Sequence, residues 1–186
     1  MKKKVTIFGM MMCLCFITPT LKAQDYKQSI GVMAGLLNGV TYKIFLTDYI
    51  AFQADAGVNM ELFYYNSAKG MPWSINVKPT FVWQNYIGRT DVSWFAGLGF
   101  NGGYCFKGNS PEDWEDLFLS NWTSINTGEA KVTFMNTEGL EYTLSSIPLT
   151  FQLEGAVGVG FRFSKQSSLA FHLDLMAAFS VRYTFK

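Results

Sequence analysis

The chain has 186 residues, a length for one domain, with 49% hydrophobic and 17% aromatic residues but only 16% charged ones. A soluble domain usually carries about 25% charged residues, so this chain is short of surface charge. Its formal net charge of +1 offers no electrostatic case for a nucleic-acid partner.

Residues 1–23 read as a cleaved signal peptide. Lys2, Lys3 and Lys4 give a positive start, residues 5–17 a short apolar core, and Pro19 breaks it before Leu21-Lys22-Ala23. The core is too short for a membrane-spanning helix of about 20 residues. Cys13 and Cys15 raise lipoprotein processing, but Met12 and Leu14 before them are bulkier than the small residue such processing uses. Cleavage removes four lysines, so the expected mature domain, 24–186, has 11 basic and 14 acidic residues, a net charge of −3. It keeps one cysteine, Cys105, which cannot form an intramolecular disulfide, and no Cys/His spacing suggests a metal. No cofactor is expected.

Beyond residue 24 no apolar run reaches 18 residues, and the dominant pattern is alternation at period two. Two short runs, 30–37 and 40–46, meet at Leu37-Asn38-Gly39, where Asn-Gly is a hairpin signal. In 50–64 one face carries Ile50, Phe52, Ala54, Ala56, Val58, Met60, Leu62 and Tyr64 against Gln53, Asp55, Gly57, Asn59 and Glu61. A less regular run covers 74–87. In 92–106, Val92, Trp94, Ala96, Leu98, Phe100, Tyr104 and Phe106 oppose Ser93, Phe95, Gly97, Gly99, Asn101 and Cys105. Run 137–144 is short. Odd positions of 149–163 and of 171–185 are apolar, whereas the even ones include Gln152, Glu154, Arg162, His172, Asp174 and Arg182.

Eight strands result. Tight connections at 47–49, 87–90 and 145–148 alternate with longer ones at 65–73 and 107–135. Even strand number and alternating connection length predict an all-β fold: a closed, antiparallel, up-and-down transmembrane barrel with short periplasmic turns and longer extracellular loops. A soluble eight-stranded ligand-binding barrel is the rival, and it would need the opposite faces, charges outside and an apolar pocket within. Here the polar face is rich in glycine and alanine, suiting a cramped lumen. Charges of both signs lie on it: Lys43, Asp55, Glu61, Lys78, Glu154, Arg162, Asp174 and Arg182. They are expected to pair across that lumen, since an unpaired buried charge is costly. The apolar face is nearly uncharged, as a lipid face must be where a charge costs roughly 2–4 kcal/mol at the midplane. Aromatic residues gather toward the strand ends. Trp83, Trp94, Phe151, Tyr183 and Phe185 mark the turn side; Tyr64, Tyr104, Phe106, Phe161 and Phe171 mark the loop side.

Three segments carry a resemblance. Gly31-Val32-Met33-Ala34-Gly35 with Asn38-Gly39-Val40-Thr41-Tyr42-Lys43 resembles the opening hairpin of small, OmpX-like outer-membrane β-barrel proteins of Bacteroides-like bacteria. Leu140-Glu141-Tyr142-Thr143 with Ile147-Pro148-Leu149 resembles their third periplasmic turn. Ser180-Val181-Arg182-Tyr183-Thr184-Phe185 resembles their closing strand. The likeness is weak between residues 60 and 135. It implies an outer-membrane location, lipid contact, and recognition by the barrel-assembly machinery through a final aromatic, here Tyr183 and Phe185. Lys186 follows Phe185, one residue off the usual pattern.

Candidate sites are few. His172 is the sole histidine, and Asp174 faces the same way. An acid/base pair would also need a nucleophile or a paired carboxylate, with Glu154 the nearest candidate on the neighbouring strand. The plainer reading makes His172 a polar plug residue held by lumen carboxylates. Within 107–135, Ser110-Pro111-Glu112-Asp113 reads as a capped helix start. Trp114, Leu117 and Phe118 follow at helical spacing, with Trp122 beyond; they form a docking surface for a partner or surface glycan, or fold onto the rim. Asn121-Trp122-Thr123 fits a glycosylation sequon by coincidence. Cys105 points lumenward with no cationic neighbour to lower its pKa, and so reads as a free small residue. The expected role is non-enzymatic: envelope integrity or surface interaction through the loops. The alternatives are a lipid-modifying barrel enzyme and a soluble periplasmic carrier.

Overall fold

Alternation at period two turns every second side chain to one face of a strand, and along this chain it produces strands and nothing else among the described residues. The computed structural model describes residues 26–60, 73–88, 90–106, 129–163 and 170–185. The strands are β1 (Gln28–Gly35), β2 (Leu37–Phe45), β3 (Ile50–Met60), β4 (Trp73–Tyr86), β5 (Val92–Phe106), β6 (Glu129–Thr143), β7 (Leu149–Phe163) and β8 (Ala170–Phe185). Each pairs antiparallel with the next, and β1 pairs with β8 from Gln28↔Phe185 to Gly35↔Ala178. The sheet is a closed eight-stranded up-and-down barrel with no free edge.

Three turns close one rim. Leu46 and Thr47 donate their N–H groups to the Ile50 carbonyl at 2.8 and 3.1 Å, Ile87 N–H bonds the Val92 carbonyl at 2.8 Å, and Leu144 N–H bonds that of Leu149 at 2.9 Å. Gly88 takes φ +63° in the middle turn, a conformation that favours glycine.

Two boundaries differ from those read in the sequence. The first hairpin bends at Gly35-Leu36, and Asn38 and Gly39 belong to β2. Gly35 supplies the bend with φ +151°. Asn38 reaches back from the strand, accepting from Gly35 N–H at 3.1 Å and donating to the Gly35 carbonyl at 2.8 Å. The asparagine closes the turn with its side chain and is not itself the turn. Strand β6 begins at Glu129, well before residue 137. Its inward Lys131, Thr133 and Met135 and outward Val132 and Phe134 keep the alternation, but outward Asn136 and Glu138 interrupt the apolar face and mask it. The expected long loop 107–135 therefore gives up residues 129–135 to the sheet.

The two faces are sharply sorted. Val32, Phe81, Leu153 and Phe171 are 60–65% exposed, and large apolar side chains stand outward on all eight strands. Lys43, Asp55, Lys78 and Arg182 are fully buried. Small residues make the interior possible. A Cβ added to Gly139 would lie 2.5 Å from the Phe95 ring and 2.2 Å from the Leu153 carbonyl oxygen, so the ring fills the space this glycine leaves. Gly139→Val is expected to cost about 1–3 kcal/mol by overpacking, and less in a Phe95→Ala background. Urea unfolding of the four chains of that cycle measures the coupling.

Candidate functional site

Among the described residues, the lumen is the place where chemically active side chains converge, and closure of the sheet forces them together. In the half nearest the three turns, three cations and three carboxylates share one network. Glu141 on β6 accepts from Lys43 Nζ at 2.9 Å, Gln84 Nε2 at 2.7 Å and the Tyr26 hydroxyl at 2.7 Å, and from Arg182 Nη2 as well. Glu154 on β7 accepts from Lys78 Nζ at 2.6 Å, Gln53 Nε2 at 2.9 Å and Gln152 Nε2 at 2.6 Å. Asp55 lies 3.1 Å from Lys78 Nζ, and Gln53 donates to both its oxygens at 3.1 and 3.0 Å. Arg182 donates also to Gln152 and, at 3.3 Å, to Gln53 Oε1. Each charge thus has an opposite partner, and most also bond a neutral amide, which is what makes a dry ionic cluster tolerable.

An apolar floor seals this network from the turn rim. Phe45, Ala51, Val82 and Phe95 are buried with Tyr26, whose ring meets Phe45 edge-on at 5.2 Å. Lys43 Nζ sits 5.2 Å from the ring centres of both Phe45 and Phe95, adding cation–π attraction to its ion pair. Tyr26, two residues before β1, therefore enters the barrel mouth and is tied there by its hydrogen bond to Glu141.

A second apolar layer lies above. Met33, Leu37, Met135, Ala156, Met176 and Ala178 form one buried cluster. Ala156 follows Glu154 on the inner face of β7, and Met176 precedes Asp174 on that of β8, reading away from the turns. Beyond this layer a smaller polar group remains. Lys131 Nζ is 3.0 Å from Asp174 Oδ2, Asn101 Nδ2 donates to the same oxygen at 2.9 Å, and Arg162 Nη1 lies 3.5 Å from Cys105 Sγ.

Of the residues expected in the lumen, Lys43, Asp55, Lys78, Glu154, Arg162, Asp174 and Arg182 are all buried inside. Glu61 lies outside the described residues, as do Trp114, Leu117, Phe118 and Trp122 and the expected helix that carries them. The side chain of His172 is also outside them. Its backbone faces Gly160, whereas Glu154 faces Ala178. Six residues along a strand is about 20 Å at 3.3 Å per residue, so the approach of Glu154 to His172 is not formed. Glu154 pairs instead with Lys78. Cys105 is corrected too: a cation does adjoin it, Arg162, because β5 and β7 bring the two to one level of the lumen across β6.

The network's hub was missed from sequence. Glu141 alternates with exposed Leu140 and Tyr142, which is the signal that would have turned it inward. Lys131 was hidden with the start of β6. Gln53, Gln84 and Gln152 carry no charge to mark them, yet they link the ion pairs.

Fold and interior together define a closed eight-stranded barrel with apolar walls outside and a solvent-excluded ionic core. Compared with protein-family models, curated proteins and solved structures, the chain matches none.

Removing one partner from the core strands the others. Glu141→Ala leaves Lys43 and Arg182 buried without their carboxylate and is expected to cost about 3–5 kcal/mol. Replacing all three by Met, Leu and Met is expected to recover most of that loss. Unfolding midpoints in urea check both.

Proposed function

We propose that the chain is an integral outer-membrane β-barrel protein with a non-enzymatic role, structural or in surface interaction, acting through the segments at the rim opposite the three turns. The observation that carries this reading is the inversion of the two faces. Soluble monomers rarely leave contiguous apolar patches beyond about 300–600 Å² exposed, but here large apolar side chains stand outward on every strand while the lysines of the strands are buried. A hydrocarbon surround makes both choices favourable at once. Closure supports it further, because a barrel has no edge whose N–H and C=O groups lipid would leave unpaired.

The interior supports a scaffold over a conduit. The ionic core and the methionine layer occupy successive levels of the lumen. A soluble carrier would need an apolar pocket where these charges lie. A lipid-modifying enzyme would need a partner for His172, and the register carries Glu154 away from it. Aromatic residues cluster near the turn rim, with Trp83 6.4 Å from Trp94 and Tyr183 5.0 Å from Phe185. Phe161 and Phe171 meet at 6.3 Å toward the other rim. Such belts suit two membrane interfaces, with Tyr183 and Phe185 available to the assembly machinery. Trp114, Leu117, Phe118 and Trp122 fall in the segment joining β5 to β6 at the outer rim, where a surface partner or glycan would dock.

The test is gel mobility in SDS, boiled against unboiled, of protein taken from outer-membrane fractions. A boiling-dependent shift is expected, together with no channel steps in planar bilayers. Release into the soluble periplasm without detergent and with no shift contradicts the membrane reading. Stable open-channel conductance contradicts the scaffold reading.

A further inference from the structure

The outer wall has one polar interruption among the described strand centres. On β6, Asn136 and Glu138 face outward between Phe134 and Leu140, and Asn136 Nδ2 donates to Glu138 Oε1 at 3.2 Å. Glu138 stands five residues from the turn end of β6 at Thr143. That is about 13 Å of height on a strand rising 3.3 Å per residue and tilted about 40°. It is half of an apolar band about 25 Å tall, where lipid offers a carboxyl group nothing to bond.

The flanks of Glu138 are small, whereas Asn136 stands between Leu98 and Val157. Register sets Glu138 between Ala96 of β5 and Gly155 of β7, and Ala177 of β8 follows in the same row. A Cβ added to Gly155 would meet no atom within 4 Å, so the wall is open there. The result is a notch with a hydrogen-bonding centre in an otherwise bulky apolar surface. Small residues of this kind let membrane-embedded surfaces approach closely, and polar side chains then bond across the contact.

Resting on the membrane reading above, we infer that the β5–β6–β7 face is the contact between two copies of this chain in the bilayer, centred on Asn136 and Glu138. The pair is self-complementary. Its internal bond uses one amide hydrogen and one carboxyl oxygen, leaving an amide hydrogen, an amide oxygen and a carboxyl oxygen facing out. A two-fold axis along the barrels brings each Asn136 amide to the second copy's Glu138, and the contact is isologous. A cationic partner would satisfy the carboxyl oxygen but offer no acceptor to the amide N–H. The second copy supplies both, an N–H for the carboxyl oxygen and a carboxyl oxygen for the N–H.

Single cysteines placed in a chain with Cys13, Cys15 and Cys105 replaced by serine, inserted in lipid vesicles, test this with a short thiol cross-linker. Gly155→Cys is expected to give a band of twice the mass. Val40→Cys, on β2 four strands away from β6, is expected to give none. Adding Glu138→Leu, a change that suits a lipid-facing wall, is expected to abolish the Gly155→Cys dimer, and Glu138→Gln to retain it. Equal cross-linking at residues 40 and 155, a dimer that survives Glu138→Leu, or no dimer at all overturns the inference. So does a cross-linked band that is not a multiple of the chain's mass. The boiling shift is read on the same samples: a shifted but monomeric chain sinks the dimer alone, whereas an unshifted chain sinks the membrane reading beneath it.

Discussion

Closing a sheet at eight strands leaves an interior only wide enough for side chains, and every charge turned inward must find its partner there. The rest of the structure follows from that constraint. Glu141 answers Lys43 and Arg182, and Glu154 and Asp55 answer Lys78. Lys43 and Arg182 reach Glu141, and Lys78 reaches Glu154, from strands that are not neighbours in the sheet, so these pairs form only when the barrel closes, whereas Asp55 and Lys78 face each other on adjacent β3 and β4. They are weak evidence of net stability, because desolvation offsets most of the attraction. They do specify register, since a slip of one residue on any strand would turn its charges outward and its apolar residues in.

The architecture was legible because a closed barrel writes the same alternation on every strand. Phe171 to Phe185 and Leu149 to Phe163 sort by parity into exposed and buried sets with few exceptions. Where the pattern failed, a local reason is visible. Asn136 and Glu138 put polar groups on the outer face and hid the first half of β6. Asn38-Gly39 looks like a turn, but Gly35 bends the chain and Asn38 ties the bend from within β2. The candidate site was legible as a set of inward charges and not as a wiring diagram. Pairing depends on cross-barrel register, and parity alone does not carry it. Thus parity leaves open whether Glu154 approaches His172, and register gives it to Lys78; parity likewise does not bring Arg162 to Cys105.

Inside and outside answer the same solvent problem from opposite sides. The lumen excludes water by filling itself with paired charges, glutamine linkers and a methionine layer. The exterior presents apolar side chains that a hydrocarbon phase would solvate at no cost. Asn136 and Glu138 are the exception that the second copy is proposed to resolve. Tyr26 extends the design beyond the strands, since its hydroxyl adds a neutral donor to the Glu141 hub and its ring completes the floor.

The central claim is that hydrocarbon, not water, surrounds the wall. The most direct test is site-directed spin labelling along the outward face of β7, at Leu153, Val157, Phe161 and Phe163, in chain reconstituted into lipid vesicles. The account predicts frequent collisions with dissolved oxygen and rare ones with a water-soluble nickel chelate at Leu153 and Val157, with chelate collisions rising only toward Phe163 at the rim. Chelate collisions as frequent at Leu153 and Val157 as at Phe163 would place the wall in water and contradict it.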